Sequence, residues 1–86
     1  MTIEALTVVT LERWLRDRVA AYGEVAPDAF TVDTPLTELG FNSVYALTIC
    51  GDIEDTFDID VDPTVVWDNP TIRRLAAALY AIILKE

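Results

Sequence analysis

The chain has 86 residues, one domain's worth, and 52% of them are apolar, with a mean hydropathy of +0.32, which excludes a disordered chain. At this size only about 60–65% of the unfolded surface is buried on folding, leaving little room for a deep enzymatic cleft. Fifteen acids against six bases give a net charge of −9 and rule against nucleic-acid binding; the absence of histidine removes the commonest general base and zinc ligand, and the single Cys50 supports neither a disulfide framework nor a metal site.

The N-terminus Met1-Thr2-Ile3-Glu4 lacks the basic start of a signal peptide. The longest apolar run, Leu75 to Leu84, has ten residues, short of the ~18 needed to span a bilayer. A cytoplasmic protein with no membrane partner is the expectation.

Leu11, Trp14, Leu15, Val19 and Tyr22 recur at three- and four-residue steps and predict a first helix, opening at Thr7 or Thr10 and reaching Tyr22. Either threonine can cap it, and Gly23 suits a left-handed position just past its end. From Glu24 to Asn42 the pattern breaks. Pro27, Pro35 and Gly40, with Asp28, Asp33 and Thr31, Thr34 and Thr37, read as a long loop anchored by Phe30, Val32, Leu36 and Leu39. A loop of that length in a compact domain points to function.

A second helix is expected from Ser43 to about Phe57, capped by Asn42, with Val44, Leu47, Cys50 or Gly51, Ile53 or Glu54, and Phe57 following the helical step. Asp52, Glu54, Asp55 and Asp58 crowd its C-terminal half, the unfavourable end for negative charge. Such a broken local rule marks a working surface. A short helix from Pro63 to Trp67, capped by Asp62, follows. The last helix opens at Asn69-Pro70-Thr71, with Pro70 in the first helical position, and runs to about Leu84, burying Ile72, Leu75, Ala76, Leu79, Ile82 and Ile83. No segment alternates as a strand. The expected fold is all-α: a small four-helix bundle with three main helices and one short one.

Ser43 is the chain's lone serine, and it follows Leu39-Gly40-Phe41-Asn42. Its hydroxyl is displayed at a helix N-terminus, where free N–H groups and the helix dipole favour a phosphate by about 0.3–1 kcal/mol on an exposed site. On position alone, a plain first-turn serine is the favoured explanation, since the residue is common there. Leu39-Gly40-Phe41-Asn42-Ser43-Val44, Ile53-Glu54-Asp55-Thr56-Phe57-Asp58-Ile59 and Trp67-Asp68-Asn69-Pro70-Thr71-Ile72-Arg73-Arg74-Leu75 together resemble the acyl carrier protein family, in the form used by polyketide synthases. The resemblance spans about Leu11 to Leu79.

The resemblance implies that Ser43 receives 4′-phosphopantetheine from coenzyme A, covalently, and that the arm carries acyl or polyketide intermediates as thioesters between enzymes of polyketide or fatty acid-type synthesis. The implied partners are a phosphopantetheinyl transferase and a ketosynthase, acyltransferase or acyl-adenylating ligase. The chain is then a monomeric, single carrier domain over residues 1–86 with no catalysis of its own. Asn42 stands where the family has Asp and keeps the capping acceptor without the charge. Val44 stands where it has Leu, and Tyr45, Thr48 and Gly51 replace residues often acidic or apolar in relatives. A peptidyl carrier and an unmodified helical interaction module stay open as alternatives.

All six bases lie in the first and last helices, whereas Val19 to Ile72 holds 11 acids and no base. Such a surface steers basic partners without tight binding. Glu38, Val44, Tyr45, Leu47, Asp52, Glu54 and Asp55 are the expected docking residues. Asp58-Ile59-Asp60-Val61-Asp62 imitates a calcium loop, but Pro63 and Asn69 stand where Gly and Glu are required, so no metal is expected. Cys50, Trp14 and Trp67 are read as core.

Overall fold

The computed structural model describes residues 7–26 and 28–85; the N-terminal segment and Pro27 lie outside the described residues. Four α-helices follow one another as α1 (Val8–Gly23), α2 (Ser43–Phe57), α3 (Pro63–Asp68) and α4 (Ile72–Lys85), with a 3₁₀ turn at Leu36–Leu39 before α2. The all-helical expectation holds, with three main helices and a short one.

Both candidate threonines open α1. The Thr7 hydroxyl accepts the Thr10 N–H at 3.2 Å, and the Thr10 hydroxyl accepts the Thr7 N–H at 2.8 Å. Thr7 is therefore the cap and Thr10 its reciprocal partner, a capping box built without an acid. The left-handed position past the helix falls on Glu24 (φ 55°), not on Gly23, which stays helical. Gly23 answers a different need: a Cβ there would lie 3.0 Å from the Leu39 carbonyl oxygen, so the glycine lets the loop cross the end of α1.

The core joins Leu11, Leu15 and Val19 of α1 to Ala46, Ile49 and Ile53 of α2, Val66 of α3, and Ile72, Leu75 and Leu79 of α4. α1 packs chiefly on α4. The apolar C-terminal run is thus mostly packing, as expected: Ile82 and Ile83 lie against the core, while Leu84 is exposed. Pro70 precedes α4 rather than starting it, because the Thr71 hydroxyl accepts the Arg74 N–H and takes the capping role.

The described part of the long loop is anchored in the bundle. Phe30 and Leu36 are buried and Val32 and Leu39 half-buried, as anchors should be. Its backbone is also tied to the α4 entrance: the Leu36 N–H donates to Pro70 O (2.8 Å) and the Arg73 N–H to Val32 O (3.0 Å). Arg73 then grips Asp33 through two hydrogen bonds of 2.7 and 3.0 Å. Among the described residues, the segment predicted as loop contains one regular piece, the 3₁₀ turn, which ends at Gly40 in the left-handed region (φ 80°). These ties hold the stretch that leads into α2.

Candidate functional site

Gly40 turns the chain, Phe41 is buried, and Asn42 halts in extended backbone as the N-cap of α2. Asn42 Oδ1 accepts the Val44 N–H at 2.9 Å and the Tyr45 N–H at 3.1 Å. Ser43, the first residue of α2, is exposed, and among the described residues nothing bonds its hydroxyl. The cap has an electrostatic consequence. It consumes two first-turn N–H groups that the sequence reading offered to a phosphate, so what an anion on Ser43 meets is chiefly the residual helix dipole.

Two residues beyond Ser43 the fold is braced. The half-buried Tyr45 hydroxyl donates to Tyr22 O at 2.6 Å, tying the start of α2 to the end of α1. Tyr45 sits between Tyr22 and Phe41, with ring centroids 6.0 and 6.3 Å away. Phe41 in turn meets Trp67 edge-on at 5.9 Å. A row of four aromatic rings therefore links the end of α1, the residues on either side of Ser43, and α3. Trp67, expected in the core, is 46% exposed, because α3 is too short to cover an indole at its C-terminal end.

The exposed face of α2 departs from the predicted stripe. Val44 and Leu47 are 67% and 61% exposed, and the buried face is Ala46, Ile49, Cys50 and Ile53. The helical step allowed both readings; the neighbours of α2 settle which face is inside. At 3.6 residues per turn, Val44, Leu47, Thr48, Gly51 and Asp55 share one outward face that begins beside Ser43. Asp52 and Glu54 flank it. Asp52 Oδ2 lies 3.9 Å from Arg18 Nη1 on α1, and Glu54 Oε2 accepts the Val61 N–H at 2.9 Å. Asp58 ends α2 in the left-handed region (φ 56°), its own N–H donating to Glu54 O. The acids crowded at the end of α2 thus partly serve the turn into α3. Glu38 is exposed on the 3₁₀ turn.

The Asp58–Asp62 stretch points Ile59 and Val61 inward, as its alternation suggests. Asp62 caps α3 by accepting from the Thr64 N–H (2.9 Å) and hydroxyl (3.0 Å), which hold its carboxyl below the usual range. Among the described residues no acid, cysteine or histidine cluster could hold a metal. Cys50 is free and buried, and burial pushes its thiol up, with Glu54 and Asp62 adding to the shift.

The phosphopantetheine attachment site family matches residues 13–79. Over 65 residues, 76% of its length, the chain is 40% identical to 5-methyl-1-naphthoate synthase of Streptomyces sahachiroi, of which it spans 4%. Other curated synthases it matches are similarly long, the chain spanning 2% and 3% of two of them. The solution structure of acyl carrier protein LipD from Actinoplanes friuliensis is 40% identical and superposes with a TM-score of 0.76, covering 100% of this chain and 96% of that one. A free-standing peptidyl carrier protein from Acinetobacter baumannii is 34% identical, with a TM-score of 0.81 over 86% of this chain and 92% of that one. An exposed, unengaged hydroxyl on the first turn of a 15-residue helix fits the attached group that this family bears. The chain belongs to the phosphopantetheine-binding carrier family, non-catalytic helical carriers that include the acyl carrier domains of polyketide synthases and free-standing carrier proteins.

Proposed function

We propose that Ser43 is the attachment residue and that the chain works as one acyl carrier domain over residues 1–86. The observation that carries this reading is the chain's lone serine, exposed at the capped start of α2 and inside the matched region. When attached, 4′-phosphopantetheine supplies a thiol on a long arm, which holds acyl cargo as a thioester. The protein's own residues do the positioning. Gly40 and Asn42 aim the serine outward, and the Tyr45–Tyr22 hydrogen bond keeps the turn in place. Tethering raises the local concentration of cargo at each partner's active site without release.

Cytoplasmic synthase enzymes and a phosphopantetheinyl transferase approach the face carrying Val44, Leu47 and Asp55, with Glu38 on the adjoining turn. Tyr45, Asp52 and Glu54 border that face while also holding the fold. Negative charge steers basic partners, and modest contact area lets them leave. A ketosynthase, an acyltransferase or an acyl-adenylating ligase is the class of partner this reading implies.

Incubation with coenzyme A and a broad-specificity phosphopantetheinyl transferase, followed by intact mass, tests the reading. One added arm is expected, and none on Ser43→Ala. An unmodified wild-type chain would leave the interaction-module reading. The likeness to a free-standing peptidyl carrier keeps a second reading, an aminoacyl cargo, in view. Charging the modified protein with acyl and with aminoacyl donors separates the two.

A further inference from the structure

The three acids in the second half of α2 have different neighbours. Glu54 is taken by the Val61 N–H. Asp55 is exposed on the face shared with Val44 and Leu47, and has no ion-pair partner among the described residues. Asp52 lies 3.9 Å from Arg18. Arg18 is also placed independently of Asp52: its guanidinium carbon lies 5.0 Å from the centroid of the Trp14 ring, and Trp14 meets Phe57 edge-on at 5.2 Å. A planar guanidinium resting on an indole loses less freedom when it pairs. The cation is thus in position before a partner arrives.

We propose that Arg18 is an internal competitor for Asp52. It occupies a carboxylate that a cationic side chain of a docking enzyme would otherwise engage, so it slows recognition and leaves Asp55 as the acid that pairs across the interface. The inference rests on the carrier reading and adds to it a rate-limiting contact from a helix that does not bear the serine. The expected size is that of an exposed ion pair, about two- to fivefold in rate at low salt.

The test compares initial rates of arm addition by a phosphopantetheinyl transferase for wild type, Arg18→Gln, Asp52→Asn, the double variant and Arg74→Gln. Arg74 is exposed on α4 without an ion-pair partner among the described residues, so its replacement removes the same charge elsewhere. Circular dichroism melts check that every variant keeps the fold. The proposal expects Arg18→Gln to be about two- to fivefold faster than wild type, Arg74→Gln to change less, and the gain to vanish when Asp52 is also replaced. Equal gains for Arg18→Gln and Arg74→Gln would reduce the effect to net charge and overturn it, as would no gain or a gain that survives Asp52→Asn. If no protein, wild type included, accepts the arm, the carrier reading falls and takes this inference with it.

Discussion

α4 and α2 have almost equal lengths, 14 and 15 residues, and both are rich in apolar side chains. α4 turns Ile72, Leu75, Ala76 and Leu79 fully inward against α1. α2 buries Ala46, Ile49, Cys50 and Ile53 but leaves Val44 and Leu47 in solvent next to Ser43. Exposed leucines and valines stabilise a monomer little, since burial is what removes apolar area from water. The difference teaches that one helix is committed to holding the bundle, while the first turns of the other are held available.

The largest expected effect on stability lies in α4. Leu75→Ala deletes a fully buried side chain and should cost about 2–5 kcal/mol in urea unfolding. If it costs under 1 kcal/mol, α4 is not the committed helix. Tyr45→Phe keeps the ring and removes the hydroxyl bonded to Tyr22 O, so it should cost about 0.5–1.5 kcal/mol by the same measurement. Arm addition on that variant should slow if the brace orients the serine turn.

Leu47→Ala should change stability by no more than about 0.5 kcal/mol, because the side chain is already 61% exposed, yet slow arm addition or acyl loading. Unchanged kinetics would remove Leu47 from the docking face, and a large stability loss would erase the contrast between the helices. The smallest effect is a pH-dependent one at Asp62. Its carboxyl is held below the ordinary value of 3.8 by the Thr64 N–H and hydroxyl. A depressed folded-state pKa contributes stability above that value and loses it as pH falls through and below it. The stability difference between wild type and Asp62→Ala should therefore be full at pH 6 and close as pH drops beneath 3.8. Repulsion among the remaining acids affects both proteins alike and cancels in the difference.

Much of this was legible from residue order. Asn42 ahead of Ser43, Asp62 ahead of Pro63 and the spacing from Leu11 to Tyr22 are local signals, and the helices begin at or near where they indicate. The serine motif with its two downstream stretches pointed to the family that the comparison shows. Other features depended on what lies across the fold. Gly23 reads as a helix end, and only the approach of the Leu39 carbonyl shows that it clears space. Trp67 reads as core, yet α3 cannot enclose it. Val44 and Leu47 fit the helical step as well as Ile49 and Ile53 do, and periodicity alone does not say which stripe faces inward. The pairing of Arg18 with Asp52 joins residues 34 positions apart and has no signal in the chain order.

The amino-acid order by itself determined the helices, most of their N-terminal caps and the lone serine at the start of α2, because these depend on backbone hydrogen bonds and side chains a few residues apart. Tertiary structure alone decided which apolar residues stay outside and which acids are already paired, because burial and ion pairing are set by elements distant in sequence that meet only when the bundle closes.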